Sequence, residues 1–107
     1  MFKTATQEGR LPALEGVTRQ TLVYGEKTLM VEFRLDKGSA LPVHDHPYEQ
    51  IGYLVSGHLE LTIGEEARRL GAGDSWCIPS NAPHNATALE DSVAVEVFAP
   101  VREDYLP

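Results

Sequence analysis

The sequence predicts an all-β domain, on three observations. Six glycines, Gly25, Gly38, Gly57, Gly64, Gly71 and Gly73, punctuate the chain between short segments rich in β-forming residues. Residues 28–35 alternate and set Leu29, Val31, Phe33 and Leu35 on one face. Helix signals are weak: Gly9, Pro12 and Gly16 interrupt the N-terminal segment, and only residues 102–106 offer a closing helical turn.

Taken in order, residues 17–24 carry β-branched and aromatic side chains, and Gly25-Glu26-Lys27 supplies a turn into strand 28–35. Asp36-Lys37-Gly38 turns the chain again. Strands at 50–55 and 59–63 flank Ser56-Gly57-His58, and Gly64-Glu65-Glu66 leads into 67–70. Gly71-Ala72-Gly73-Asp74 precedes 75–78, and Glu90-Asp91-Ser92 joins 84–89 to 93–98. Eight to ten strands are expected, with no internal repeat or linker, so residues 1–107 should form one domain. In the last strand, Val93, Val95 and Val97 share a face expected to pack on a second sheet or a neighbouring subunit. Ala94, Glu96 and Phe98 share the other. A charge inside a barrel is costly unless it is paired or functional, so Glu96 is either a working residue or one turned to solvent at an edge.

Hydrophobic residues make up 42% of the chain and charged residues 23%, which argues against intrinsic disorder. Nine basic against sixteen acidic residues give a net charge of −7, so nucleic acid is not an expected partner. No apolar run reaches the ~18 residues of a membrane helix, and the N-terminus lacks the apolar segment of a signal peptide. The single cysteine, Cys77, excludes an internal disulfide and fits a reducing cytoplasm; without a CxxC partner it reads as a small buried residue.

The histidines carry the chemistry. His44 and His46 are two apart, so on an extended chain both rings point to one face, and paired neutral imidazoles suit a borderline divalent metal. The chain runs Gly38, five residues, His44-Asp45-His46, three residues, Gln50, six residues, Gly57. A second run reads Gly73, five residues, Pro79-Ser80-Asn81, two residues, His84. His58 follows a turn glycine and reads as a solvated residue.

These two runs, in this order, resemble the two motifs of the cupin superfamily over about residues 37–89. The resemblance implies a double-stranded β-helix, a jelly-roll barrel closing around one metal ion, with His44, His46, Gln50 and His84 as its ligands. Gln50 stands where the family usually has glutamate. Glu49, an acid one residue away, is the competing ligand; the spacing to Gly57 favours Gln50, and adjacent strand residues point to opposite faces. Asn81 replaces the second motif's glycine, a mild departure because Asn tolerates positive φ, and Ala88 replaces its final asparagine. Three neutral histidines and a neutral amide leave a divalent charge uncompensated, which attracts an anionic substrate and acidifies a bound water. Manganese, iron, cobalt, nickel, copper and zinc all suit such a ligand set.

The segment from Glu96 to Leu106 is similar to the C-terminus of small cupins of the pectin-degradation type, which convert cyclic unsaturated uronates into linear ketonised sugars. That pattern has an aspartate, a phenylalanine two residues on and an arginine four further; Glu96, Phe98 and Arg102 occupy these positions. The implied roles are proton transfer by the carboxylate, an aromatic wall, and a guanidinium clamp on the substrate carboxylate. Glutamate for aspartate moves the carboxylate by one methylene. The expectation is a metal-dependent enzyme acting on a small anionic carbohydrate by ring opening or isomerisation. The alternatives are a cupin dioxygenase and a non-catalytic sugar- or metal-binding module. Residues 1–36 lie outside the motifs and are expected to contribute to packing in a homodimer.

Overall fold

The computed structural model describes residues 1–107. Ten strands follow one another: β1 (Leu11–Leu14), β2 (Val17–Tyr24), β3 (Leu29–Leu35), β4 (Ala40–His44), β5 (Glu49–Ser56), β6 (His58–Ile63), β7 (Glu66–Gly71), β8 (Ser75–Ile78), β9 (His84–Ala88) and β10 (Ser92–Ala99). A short 3-10 turn, Glu103–Tyr105, follows the last strand where the sequence offered a helical turn. The strands form a six-stranded sheet, β1-β2-β3-β10-β5-β8, and a four-stranded sheet, β4-β9-β6-β7. Every pairing is antiparallel, and the two sheets make the jelly roll of a double-stranded β-helix. No helix is long and apolar enough to cross a membrane.

Period-2 alternation decides which side chains fill the space between the sheets. On β3, Leu29, Val31 and Leu35 are buried and Phe33 half-buried, as their shared face requires. Val17, Leu35, Leu54, Leu59, Ala88 and Ala94 form one apolar cluster; Leu29, Val31 and Phe98 form a second, and Phe33 packs against both. Val101, Tyr105 and Leu106 seal the second cluster, so the C-terminal segment folds back over the barrel.

Two strands escape the sequence pattern, β1 and β4, and both for one reason. Each carries a proline, Pro12 and Pro42, which argues against a strand. Both are edge strands, where the missing N–H needs no partner.

Three side-chain expectations are resolved by the same alternation. Cys77 is exposed, not buried: on β8, Trp76 and Ile78 turn inward and Cys77 turns out, so strand phase overrides the burial preference of a small thiol. The valines of β10 do not meet the second sheet; they lie half-exposed on the outer surface. His58 is exposed, its Nδ1 3.0 Å from a Glu90 carboxylate oxygen.

Candidate metal centre

His44 ends β4, His46 lies in the following loop, and His84 opens β9 directly opposite His44 in register. Two loops hold the rings together. The Asn81 amide donates to the His46 carbonyl at 2.8 Å, and the Ser80 hydroxyl donates to the Pro47 carbonyl, so the second motif is stitched to the first. Asn81 has φ 65°, the left-handed conformation that a glycine or asparagine tolerates. Ring centroids of His44 and His84 are 4.1 Å apart, and those of His46 and His84 are 5.0 Å apart.

One ring nitrogen from each of the three histidines lies within 4.8 Å of the others. Each Nδ1 is engaged with a backbone carbonyl: His44 with Pro42 at 2.7 Å, His46 with Tyr48 at 3.0 Å and His84 with Ala82 at 2.8 Å. A neutral imidazole that donates from Nδ1 has a bare lone pair on Nε2. Burial lowers the His46 pKa, with the charge of Arg102 adding to it, and burial lowers that of His84, so both rings favour the neutral form that binds metals.

Two observations test whether a cation fits. The His84 Nε2 is buried and has no hydrogen-bond partner. The His46 Nε2 faces the Gln50 Oε1 at 3.0 Å, which sets acceptor against acceptor when Nδ1 holds the proton. A cation satisfies both. The residues present fit a divalent ion held by His44, His46 and His84, with the Gln50 carbonyl oxygen beside them. Gln50 is buried on the inner face of β5, whereas Glu49 is exposed on the outer face.

The remaining sequence candidates line the same cavity. Glu96 is buried on β10; the Trp76 Nε1 donates to both of its oxygens, at 3.1 and 3.2 Å. Burial pushes its pKa up to about 7, against the opposing pull of the hydrogen bonds from Gln50 and Trp76. Phe98 is 1% exposed and meets the His46 ring edge-on, with centroids 5.9 Å apart. Arg102 lies beyond Pro100, where β10 has ended, and its guanidinium turns back over aromatic rings. Its Cζ is 3.9 Å from the Tyr105 centroid and 5.0 Å from those of Tyr48 and Phe98. Asp104 accepts from its Nη2 at 2.9 Å and its Nε at 3.3 Å. Burial raises the Asp104 pKa, but its hydrogen bonds with Arg102 and that residue's charge outweigh this and hold it low.

Trp76, Tyr48, Tyr105 and Asp104 also belong to this arrangement, and the sequence reading does not single them out. Their sequence signal is faint: Trp76 at an inward strand position reads as core, Tyr48 and Tyr105 lie in a loop and a closing turn, and an acid two residues after an arginine reads as surface.

The family model described as Cupin domain matches residues 31–100. The pectin degradation protein KdgF of Dickeya dadantii (strain 3937) is 32% identical over 94 residues, covering 86% of this chain and 86% of that protein. The solved structure of KdgF from Halomonas sp. superposes with a TM-score of 0.93 at 31% identity, over 99% of this chain and 98% of that one. An RmlC-like cupin from Shewanella frigidimarina NCIMB 400 superposes with a TM-score of 0.93 at 28% identity, over 98% and 95% of the two chains. The family match spans more than half of the sequence and takes in His44, His46, Gln50 and His84, and the chain belongs to the cupin family.

Proposed function

We propose that this cupin is a divalent-metal-dependent isomerase that opens and ketonises small cyclic uronates bearing a 4,5 double bond. The observation that carries the reading is one cavity lined by three histidines, the buried acid Glu96 and the cation Arg102. The likeness to two proteins named KdgF, one of them described as a pectin degradation protein, supports it. A divalent ion bound by His44, His46, Gln50 and His84 supplies Lewis acidity and positive charge toward the sugar oxygens.

The chain's own residues do the rest. Arg102, held in plane by Asp104 and stacked on Tyr105, offers its free guanidinium edge to the substrate carboxylate. Phe98 closes the cavity wall beside His46 and limits water. Ring opening breaks the bond between the anomeric carbon and the ring oxygen as a proton passes from the hemiacetal hydroxyl to that oxygen, leaving an aldehyde and an enol. Ketonisation then moves the enol proton to the far carbon of the double bond, C4, and leaves a ketone at C5. The reaction releases no net proton, so a single group that both accepts and donates suffices. Glu96, with a pKa near neutrality, suits that exchange.

The test follows the loss of the conjugated double bond's absorbance, compared with the spontaneous rate, for protein supplied with each candidate metal. Glu96→Gln is expected to lower kcat about 100-fold with KM little changed, and Arg102→Ala to raise KM about tenfold with kcat largely kept. No acceleration with any of the six metals overturns this substrate class. Oxygen consumption in its place would identify a dioxygenase.

The outer face of the six-stranded sheet supports a homodimer. Ile51, Tyr53 and Val55 of β5 are exposed beside Val95 and Val97, forming an apolar surface suited to a second copy of itself. Operation in a reducing cytoplasm is consistent with the lone, exposed Cys77.

A further inference from the structure

Three neighbouring strands put Glu96, Gly52 and Trp76 in one row. Glu96 of β10 pairs with Gly52 of β5, and Gly52 pairs with Trp76 of β8. Adjacent strands lie about 4.8 Å apart, so the backbones of Glu96 and Trp76 are separated by roughly twice that distance. Side chains two strands apart on one face are normally screened from each other by the residue between them. Here that residue is glycine, and the indole crosses above it.

Gly52 is not required by backbone conformation, because its φ lies outside the left-handed region. It is required by space. A Cβ at this position would fall far inside van der Waals contact of Cε2 and Nε1 of Trp76 and of Oε2 of Glu96. Glycine inside a strand weakens the strand, and it commonly marks a place where another group must approach closely. The approaching group is the indole, whose N–H donates to both carboxylate oxygens at 3.1 and 3.2 Å. No arginine or lysine pairs with Glu96; the Trp76 indole N–H is its hydrogen-bond donor.

We propose that Trp76 is a positioning residue that clamps the Glu96 carboxylate through its indole N–H, and that Gly52 is the gap that admits the clamp. The catalytic consequence rests on the function proposed above. A carboxylate whose two oxygens are both held by one indole N–H keeps its place at the cavity wall, and a misplacement of about 1 Å costs turnover rather than affinity.

The chain has one tryptophan, so a nitrogen–proton correlation spectrum contains one indole N–H signal. In metal-free protein, Glu96→Ala is expected to move that signal upfield and to speed its hydrogen exchange at least about tenfold. Trp76→Phe keeps the packing but deletes the donor. Its kcat on the unsaturated uronate is expected to fall about tenfold, with KM within about twofold and metal content unchanged. Gly52→Ala should shift the indole signal as Glu96→Ala does and lower kcat as Trp76→Phe does. An indole signal unmoved by Glu96→Ala overturns the clamp, and a wild-type kcat in Trp76→Phe overturns its positioning role. If the wild-type protein leaves the uronate untouched, the proposed substrate fails. The clamp is then decided by the indole signal and by whether the Glu96 carboxylate leaves its place in a crystal structure of Trp76→Phe.

Discussion

The outer face of β10 and β5 is more uniformly apolar than the inner one. An antiparallel sheet with one solvated side ordinarily turns apolar residues inward and polar ones outward. Here the inner face intersperses Ser92, Glu96 and Gln50 with the core residues Ala94, Phe98 and Leu54 around Gly52, while the outer face presents Val93, Val95, Val97, Ile51, Tyr53 and Val55. The inner polar groups persist because each has a partner: Gln50 faces His46 and Glu96, Glu96 receives Trp76, and Ser92 exchanges hydrogen bonds with His58. The outer apolar groups are exposed or half-exposed. Partnered polarity inside a small barrel points to chemistry, and an exposed apolar face is a surface on which an interface can form.

The largest effect tests the inner face. The double substitution His44→Ala, His46→Ala removes two of three imidazole ligands and should reduce bound divalent metal from about one ion per chain to a background level. Elemental analysis after dialysis measures this, and full metal content in the double variant would dissolve the distinction between the two faces. The outer face comes next. Ile51→Asp sets a charge in the middle of the apolar patch and should convert a dimer to a monomer at micromolar concentration, a loss of at least about 100-fold in association. Light scattering reads the mass, and metal content should stay unchanged. A wild-type protein that is itself a monomer would sink the outer half of the comparison.

A third effect separates the cost of the inner face from its use. In metal-free protein, Glu96 titrates near 4.5 when unfolded and near 7 when folded, since burial raises its pKa. Below both values it is protonated in both states and costs nothing. As pH rises from 4.5 to 7 the unfolded chain releases the proton while the folded one keeps it, so stability falls, and it levels off above 7. Glu96→Gln lacks this decline, and its advantage over the wild type should grow by about 3 kcal/mol between pH 4 and pH 8. Urea unfolding at several pH values measures the difference; a gap that stays constant with pH contradicts a buried, proton-holding carboxylate.

Most strands were legible in the sequence because alternation and glycine turns are local signals. β1 and β4 were not, because Pro12 and Pro42 are tolerated only once tertiary structure has placed them at sheet edges. The positions of His44, His46, Gln50 and His84 were legible because motif spacing carries three-dimensional information in one dimension. Trp76 and Gly52 were not, since their relation to Glu96 exists only in the register of three strands distant in sequence. Cys77 is not legible from residue type alone, because strand phase between Trp76 and Ile78 turns it outward.

The smallest effect lies at the rim where the two motif loops meet. Asn81 is the one non-glycine residue with positive φ, and its amide donates to His46 while its side-chain amide donates to the Ser80 hydroxyl at 3.2 Å. Alanine keeps the backbone hydrogen bond but pays the left-handed conformation in full, so Asn81→Ala should lose about 1 kcal/mol in denaturant unfolding. Glycine adopts this φ without strain yet gives up the side-chain hydrogen bond and adds freedom to the unfolded chain, so Asn81→Gly should stay within about 0.5 kcal/mol of the wild type. Because the turn sets the distance between His46 and His84 without touching either face of the sheet, metal affinity should follow stability weakly, and the dimer not at all. An alanine variant as stable as the wild type would mean that the stitch between the loops, rather than the conformation of this residue, holds the turn.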